Sequence, residues 1–301
     1  RGDLYPRQPV SSAHRITVCG AMERDAPDGR RVRRAWTVLL AVCVAWTAAA
    51  QRRVGLAYYD LGALYDTVPS LFYDDGDYTP AGSRHWTAER YGATLSRLAS
   101  VLDSLAMPLV GLYGVETERA ALDLAARSGG DYCVVHRTLN SMDGLDFALL
   151  YQADRLEPRR VETGYGWMSV EGMLDDSAVV LLLCRHARFL ADRVGELRTE
   201  RPDARLIVMG GVGGYRGERD GLQDPLRWAE RAGRGNRHRR GGWLMEDRIL
   251  VDGSMRVVRA DVYARGRLLD PKSGRPLPCY DRECYTGGYA AKLPVFVYLF
   301  P

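Results

Sequence analysis

The segment LIVMGGVGGYRG, Leu206 to Gly217, runs from a buried-strand pattern directly into glycine. Glycine at such a junction bares backbone amides to an anion, as in loops that cradle phosphate. The spacing completes neither nucleotide loop. A GxGxxG reading from Gly211 meets Arg216 where its third glycine is needed, and no GK[ST] follows. A second stretch, RAGRGNRHRRGGW, gathers Arg231, Arg234, Arg237, His238, Arg239 and Arg240, a basic loop suited to phosphate, a nucleic-acid strand or an acidic polysaccharide. No aromatic residue is interleaved with those arginines, so bases have no stacking platform there. His85, His136 and His186 read as exposed or locally bonded imidazoles. No CxxC pair and no Cys/His spacing suits zinc. Cys133 and Cys184 each sit in an apolar run and are expected to be buried, whereas Cys279 and Cys284 in CYDREC could close a short hairpin loop by a disulfide.

Positioning such groups requires a folded body, and the composition supplies one: 46% of the 301 residues are hydrophobic. The formal charge of +4 sits entirely in residues 1–50, where eight arginines face four acids. From residue 51 the charges cancel, which excludes a general nucleic-acid footprint on the folded part. Residues 1–21 read as upstream leader. Residues 22–50 read as a secretory signal, with RRVRR, an uncharged run from Ala35 to Ala50 and TAAA before Gln51. A sixteen-residue run is short against the roughly 20 a spanning helix needs. The expectation is therefore an exported, periplasmic or secreted protein cleaved near Ala50, monomeric and without a transmembrane span; an uncleaved membrane anchor is the alternative.

Residues 51–301 show no repeat or linker and read as one domain. Apolar runs predict strands at 54–59, 109–112, 132–135, 147–151, 179–183, 206–209, 249–251, 257–263 and 293–299. Leu95, Leu98, Leu102 and Leu105 recur at helical spacing. A second helix is expected over 118–127 behind a Thr117 cap, ending at Gly129 and Gly130, and a third over 186–201 before Pro202. Many strands with few helices suggest paired sheets flanked by helices.

The segments YYDLGALYDT, DYTPAGSRHWTAERYGATLSRLASVL, VGLYGVET, GLDFALLY, LIVMGGVGG, GGWLMEDRILV and YTGGYAAKLPVF follow one another as in the endonuclease/exonuclease/phosphatase family, which the chain resembles from about Val54 onward. The resemblance implies an α/β fold: a four-layered α/β/β/α sandwich, two mostly antiparallel sheets flanked by helices, as in DNase I. It also implies phosphoester hydrolysis with a divalent metal, using a carboxylate on the metal, an Asp-supported His, an Asp that activates water, and Asn and His on the phosphoryl oxygens.

Taken residue by residue, most of that machinery is substituted. The family asparagine falls at Asp60, and the metal-binding glutamate at Gly114. Glu116, on the same strand face, lies one pleat repeat away, about 6.6 to 6.8 Å. The Asn-His pair falls at Leu183 and Cys184, and Arg188 matches a family arginine. Gly-Asp-Phe-Asn-Asp has become Gly210 to Gly214, with Gly211 and Gly213 in place of the catalytic Asp and Asn. The terminal Asp-His reads Ala291 and Lys292. Asp66, Asp146, Asp247 and Glu116 survive at matching places as scaffold groups. Losing metal ligand, base and phosphate clamp together implies a disabled phosphoesterase, a pseudoenzyme that binds through the old cleft. On this reading no cofactor is expected, and the ligand is a phosphate or polyanion. Residual ligand contacts are assigned to Lys292, Asp247, Asp60, Asp146 and Arg188. Two alternatives stand beside it. One is a weak Mg- or Mn-dependent phosphodiesterase or nuclease with a rearranged site, for which Asp60, Glu116 and Asp247 are the weak metal candidates; the other is a polyanion binder acting through the 231–240 loop.

Overall fold

Alternation along three central strands shows how the sequence builds its layers. In β7 (Ser177–Cys184) Val179, Leu181 and Leu183 point into one core, while Val180, Leu182 and Cys184 point into another. β8 (Arg205–Gly210) and β12 (Arg248–Asp252) divide their residues the same way. A strand buried on both faces needs cover on both. The inner face meets a second sheet, and the outer face meets a helix.

A computed structural model describes residues 52–301 apart from residues 140 and 216, and Gln51–Pro301 make one compact unit. The expected leader and signal fall outside the described residues. The first six-stranded sheet contains β1 (Val54–Leu64), β2 (Leu109–Val115), β3 (Cys133–Arg137), β4 (Asp146–Tyr151), β13 (Arg256–Val262) and β16 (Val295–Phe300), in the order β13-β16-β1-β2-β4-β3. The second contains β5 (Leu156–Gly164), β6 (Trp167–Leu174), β7, β8, β9 (Leu222–Gln223) and β12, in the order β5-β6-β7-β8-β12-β9. Only β1 with β2 and β7 with β8 run parallel. Helices α1 (Ala88–Leu105) and α2 (Glu118–Arg127) cover the first sheet, and α3 (Leu190–Glu200) the second, giving the four layers α/β/β/α. The expected sandwich is the observed one.

Local rules set the helix ends. Thr87 accepts from Arg90 N at 3.3 Å and Thr117 from Ala120 N at 3.1 Å, satisfying amides that the first turn leaves orphaned. α1 stops where Ala106 turns left-handed, and α2 stops at Ser128, one residue before the expected glycines. The third helix begins at Leu190 after a short 3-10 turn, later than its pattern suggested.

Other expectations need correction. The β5–β6 hairpin was not foreseen because its outer strand is half-exposed, holds Pro158 at a bulge and lacks an apolar run. Also unforeseen were α4 (Arg227–Arg231), the β10–β11 ribbon (Arg237–Arg239 and Gly242–Leu244) and the β14–β15 hairpin (Tyr280–Asp281 and Cys284–Tyr285). The last places Cys284 opposite Asp281 rather than Cys279, so backbone pairing closes it and both cysteines are free. Cys279 instead rests against Thr94 Oγ1 at 3.3 Å. Cys133, expected inside, is exposed because it begins the edge strand β3. No helix among the described residues is long and apolar enough to cross a membrane.

Candidate functional site

A cleft of about 590 Å³ opens where the ends of the two sheets meet. β1 carries Asp60 to its wall, the turn before β12 carries Glu246 there with Asp247 buried behind it, and the segment before β16 carries Lys292. Residues far apart in the chain therefore converge. Lys292 Nζ lies 2.7 Å from Asp247 Oδ1, 2.9 Å from Asp60 Oδ2 and 3.6 Å from Glu246 Oε2.

Buried bonding fixes this arrangement. Asp247 is 1% exposed, and its second oxygen accepts from Asn236 Nδ2 at 2.6 Å. Asn236, fully buried, also takes the Glu246 and Asp247 amides on its Oδ1 at 2.9 and 3.2 Å. Its carbonyl accepts from Leu293 N at 2.7 Å, so one side chain and its backbone join the turns that supply Asp247 and Lys292. Sequence reading missed this residue, whose only signal was a lone asparagine among arginines and glycines. Asp60 is held by accepting from Gly62 N at 2.9 Å.

The charges follow from these positions. Burial pushes Asp247 up to about 6, against the pull of Lys292 and with Asp60 adding to it. Burial alone favours a neutral amine at Lys292, but Asp247 and Asp60 outweigh it and hold the ammonium charged, above the usual lysine range. Burial also acts to raise Glu246, yet Arg237 at 2.7 Å, with the Lys292 and Arg239 charges, keeps it below its usual value. On the opposite wall Arg185 pairs with Asp143 at 2.9 Å and stacks 4.9 Å over the Tyr113 ring. His186 lies beside it, lowered by partial burial and by Arg185 and Arg188.

Backbone crowds the two glycines that the resemblance aligns with a catalytic Asp and Asn. A β-carbon on Gly213 would stand 2.5 Å from the Met245 carbonyl oxygen, and one on Gly211 2.8 Å from that of Arg185. Cys184 is buried, and its thiol donates to the His186 carbonyl at 3.3 Å.

The surviving acids do not form one group. Asp60 lines the cleft and shares Lys292 with the buried Asp247, whereas Glu116 and Asp66 line a separate cavity of about 1100 Å³ with His136, Leu71, Phe72 and Met142. There Glu116 accepts from Asp66 N at 2.6 Å and Tyr73 Oη at 3.0 Å, tying the chain after β1 to β2. Burial, with the Asp66 and Asp75 charges adding to it against those two hydrogen bonds, pushes it up to about 7. Asp146 accepts from Leu139 N at 2.9 Å and stands 3.9 Å from His136 Nε2. Glu116 is therefore removed from the metal candidates Asp60 and Asp247, and Asp146 from the residual ligand set. Arg188 follows β7 in the short 3-10 turn, outside the lining of the cleft.

A divalent metal fits this donor set poorly. Mg²⁺ takes oxygen ligands at about 2.0 to 2.1 Å in near-octahedral array. Here the two converging carboxylates are bridged by an ammonium, and among the described residues no three His, Cys, Asp or Glu are grouped to hold an ion. Of the 231–240 arginines, Arg237 and Arg239 turn to Glu246 and Arg234 to Asp261, which leaves Arg231 and Arg240 outward.

Residues 55–165 match the sequence model of the Endonuclease/Exonuclease/phosphatase family. In fold the chain is similar to a humanized D. rerio TDP2 with 14 mutations (TM-score 0.55, 12% identity, 82% of this chain and 98% of that one). It is similar to C. elegans TDP2 (0.52, 14%, 96% and 99%) and to a mannosyl-6-phosphatase of Bacteroides thetaiotaomicron (0.50, 15%, 82% and 99%). No curated protein matches it by sequence.

Proposed function

From its place in the endonuclease/exonuclease/phosphatase family, to which the chain belongs by its sequence over residues 55–165 and by its fold, we propose that it is a pseudoenzyme: an exported binding domain whose cleft no longer performs metal-dependent phosphoester hydrolysis. One observation supports this reading most directly. Lys292, at the place the resemblance gives to a catalytic histidine, is tied between Asp60 and Asp247, while carbonyls press on Gly211 and Gly213, which the resemblance aligns with a base and a phosphate contact. Without metal or base, no group remains to ionise water or spread charge from the transition state. What the cleft retains is a polar wall of Arg185, Arg237 and Lys292, suited to holding a phosphate group.

The test is turnover. Purified protein with Mg²⁺ or Mn²⁺ should leave plasmid DNA and bis-p-nitrophenyl phosphate intact; hydrolysis that disappears in an Asp60→Ala, Asp247→Ala double variant would overturn the reading. The outward Arg231 and Arg240 support a second reading, polyanion binding by the basic loop. That reading requires a salt-dependent affinity for heparin or single-stranded DNA that vanishes when Arg231 and Arg240 become Ser.

A further inference from the structure

The space between the two converging carboxylates, where a cation would have to sit, is occupied by a positive charge of the chain's own. Lys292 is one of only two lysines beside forty arginines. A guanidinium is a planar fork, whereas an ammonium is a compact point charge with three donors, and of the two only the ammonium approximates a small cation. Its side chain is 13% exposed, and those of its partners Asp60 and Asp247 are 15% and 2% exposed. Two carboxylates this enclosed repel each other strongly unless a cation lies between them.

We infer that the Lys292 ammonium is the resident cation of this cleft, a tethered charge that holds Asp60 and Asp247 together and excludes divalent metal, so that withdrawing it exposes a carboxylate pair able to take up one Mn²⁺ or Mg²⁺. The inference rests on the pseudoenzyme reading and explains it electrostatically: a fixed monovalent charge preserves the cleft's architecture but cannot offer the open coordination positions that activate water. Asn236 contributes by keeping Asp247 Oδ2 bonded, which leaves Oδ1 for the cation.

The first test uses the unaltered protein labelled with ¹⁵N. Two lysines give at most two side-chain ammonium signals. Lys292 should show a slowly exchanging one that Asp247→Asn abolishes and that added Mn²⁺ leaves sharp; an ammonium exchanging as fast as the exposed Lys272 overturns the inference. The second is Mn²⁺ titration by calorimetry. The unaltered protein and Lys292→Arg should show no saturable uptake. Lys292→Met, folded by near-ultraviolet circular dichroism, should bind one Mn²⁺ with Kd below about 1 mM and lose it in Lys292→Met, Asp247→Asn. Folded Lys292→Met that binds no Mn²⁺ sinks the tethered cation alone, whereas hydrolysis of bis-p-nitrophenyl phosphate by the unaltered protein sinks the pseudoenzyme reading.

Discussion

Gly114 faces Gly62 across the bulge between β1 and β2, so closely that a β-carbon on Gly114 would stand 2.7 Å from the Gly62 carbonyl oxygen. Both residues have positive φ, +78° at Gly62 and +86° at Gly114. At the position that the resemblance aligns with a metal-binding glutamate, the neighbouring strand leaves no room for a side chain. Gly114→Glu combines a left-handed backbone penalty of roughly 1–2 kcal/mol with a steric overlap that the bulge must open to relieve. We expect at least about 2 kcal/mol of destabilisation in urea unfolding, with no gain of Mn²⁺ uptake or phosphodiester turnover. Restored activity at full stability would refute this account of the bulge.

Stability should peak in mild acid. Glu116 is raised from 4.5 to about 7 and Asp146 from 3.8 to about 6, chiefly by burial. For a carboxyl whose folded value is raised, the folded state holds the proton to higher pH than the unfolded one, so stability falls as pH rises between the two values. The window runs from about pH 4 to 7, and Glu116 alone accounts for roughly 3 kcal/mol across it. Below it, Asp143 and Asp252, which Arg185, Ser254 and Arg198 hold low against the effect of burial, lose their contribution as they protonate. Thermal unfolding should therefore give its highest Tm near about pH 4, at the lower edge of that window, and a lower one at about pH 8. Glu116→Gln, which can still accept from the Asp66 amide and turn toward Tyr73, should flatten the slope between them.

How much of this was legible depends on the range of the interactions. Leu95 to Leu105 and the β7 and β8 runs disclosed the layers because periodicity records burial directly, and Thr117 disclosed a cap because capping is local. The family resemblance could be read once ordered segments were compared with a family pattern. Which survivors would meet could not. Glu116 and Asp247 look equivalent as surviving acids, yet one anchors the chain after β1 and the other bonds Lys292 across 45 positions. Asn236 was unreadable for the same reason, since its three side-chain hydrogen bonds exist only after the β10–β11 ribbon returns the chain to it.

Arg248, 1% exposed at the start of β12, donates to Asp224 at 2.5 Å and Glu230 at 2.7 Å, fastening α4 and the segment before it beside the cleft. Removing one member of a buried ion pair leaves the other charge uncompensated, at a cost of about 3–5 kcal/mol, whereas replacing both by apolar groups is often nearly neutral. Arg248→Met should lower stability by that amount, and adding Asp224→Leu should restore most of it. A double-mutant cycle in urea reads the coupling directly, and strict additivity would show that the pair does not hold this segment.

Asn236 is the most exacting position in the cleft, because its amide serves Asp247 Oδ2 while its carbonyl oxygen serves two backbone amides. Asn236→Ala strands one acceptor and two donors in a region without solvent, each costing about 1–3 kcal/mol, so a loss of roughly 3 kcal/mol or more is expected. Asn236→Asp isolates one component of that loss. Its carboxylate still accepts from the two amides but cannot donate to Asp247, and a third negative charge then lies against the pair that Lys292 neutralises. This variant should therefore be destabilised at about pH 8 and recover as pH falls toward about 5, where the introduced carboxyl takes up a proton and can donate it to Asp247, while Asn236→Ala stays low throughout. Parallel loss in both variants at every pH would mean that packing, not the hydrogen bond to Asp247, is what Asn236 supplies.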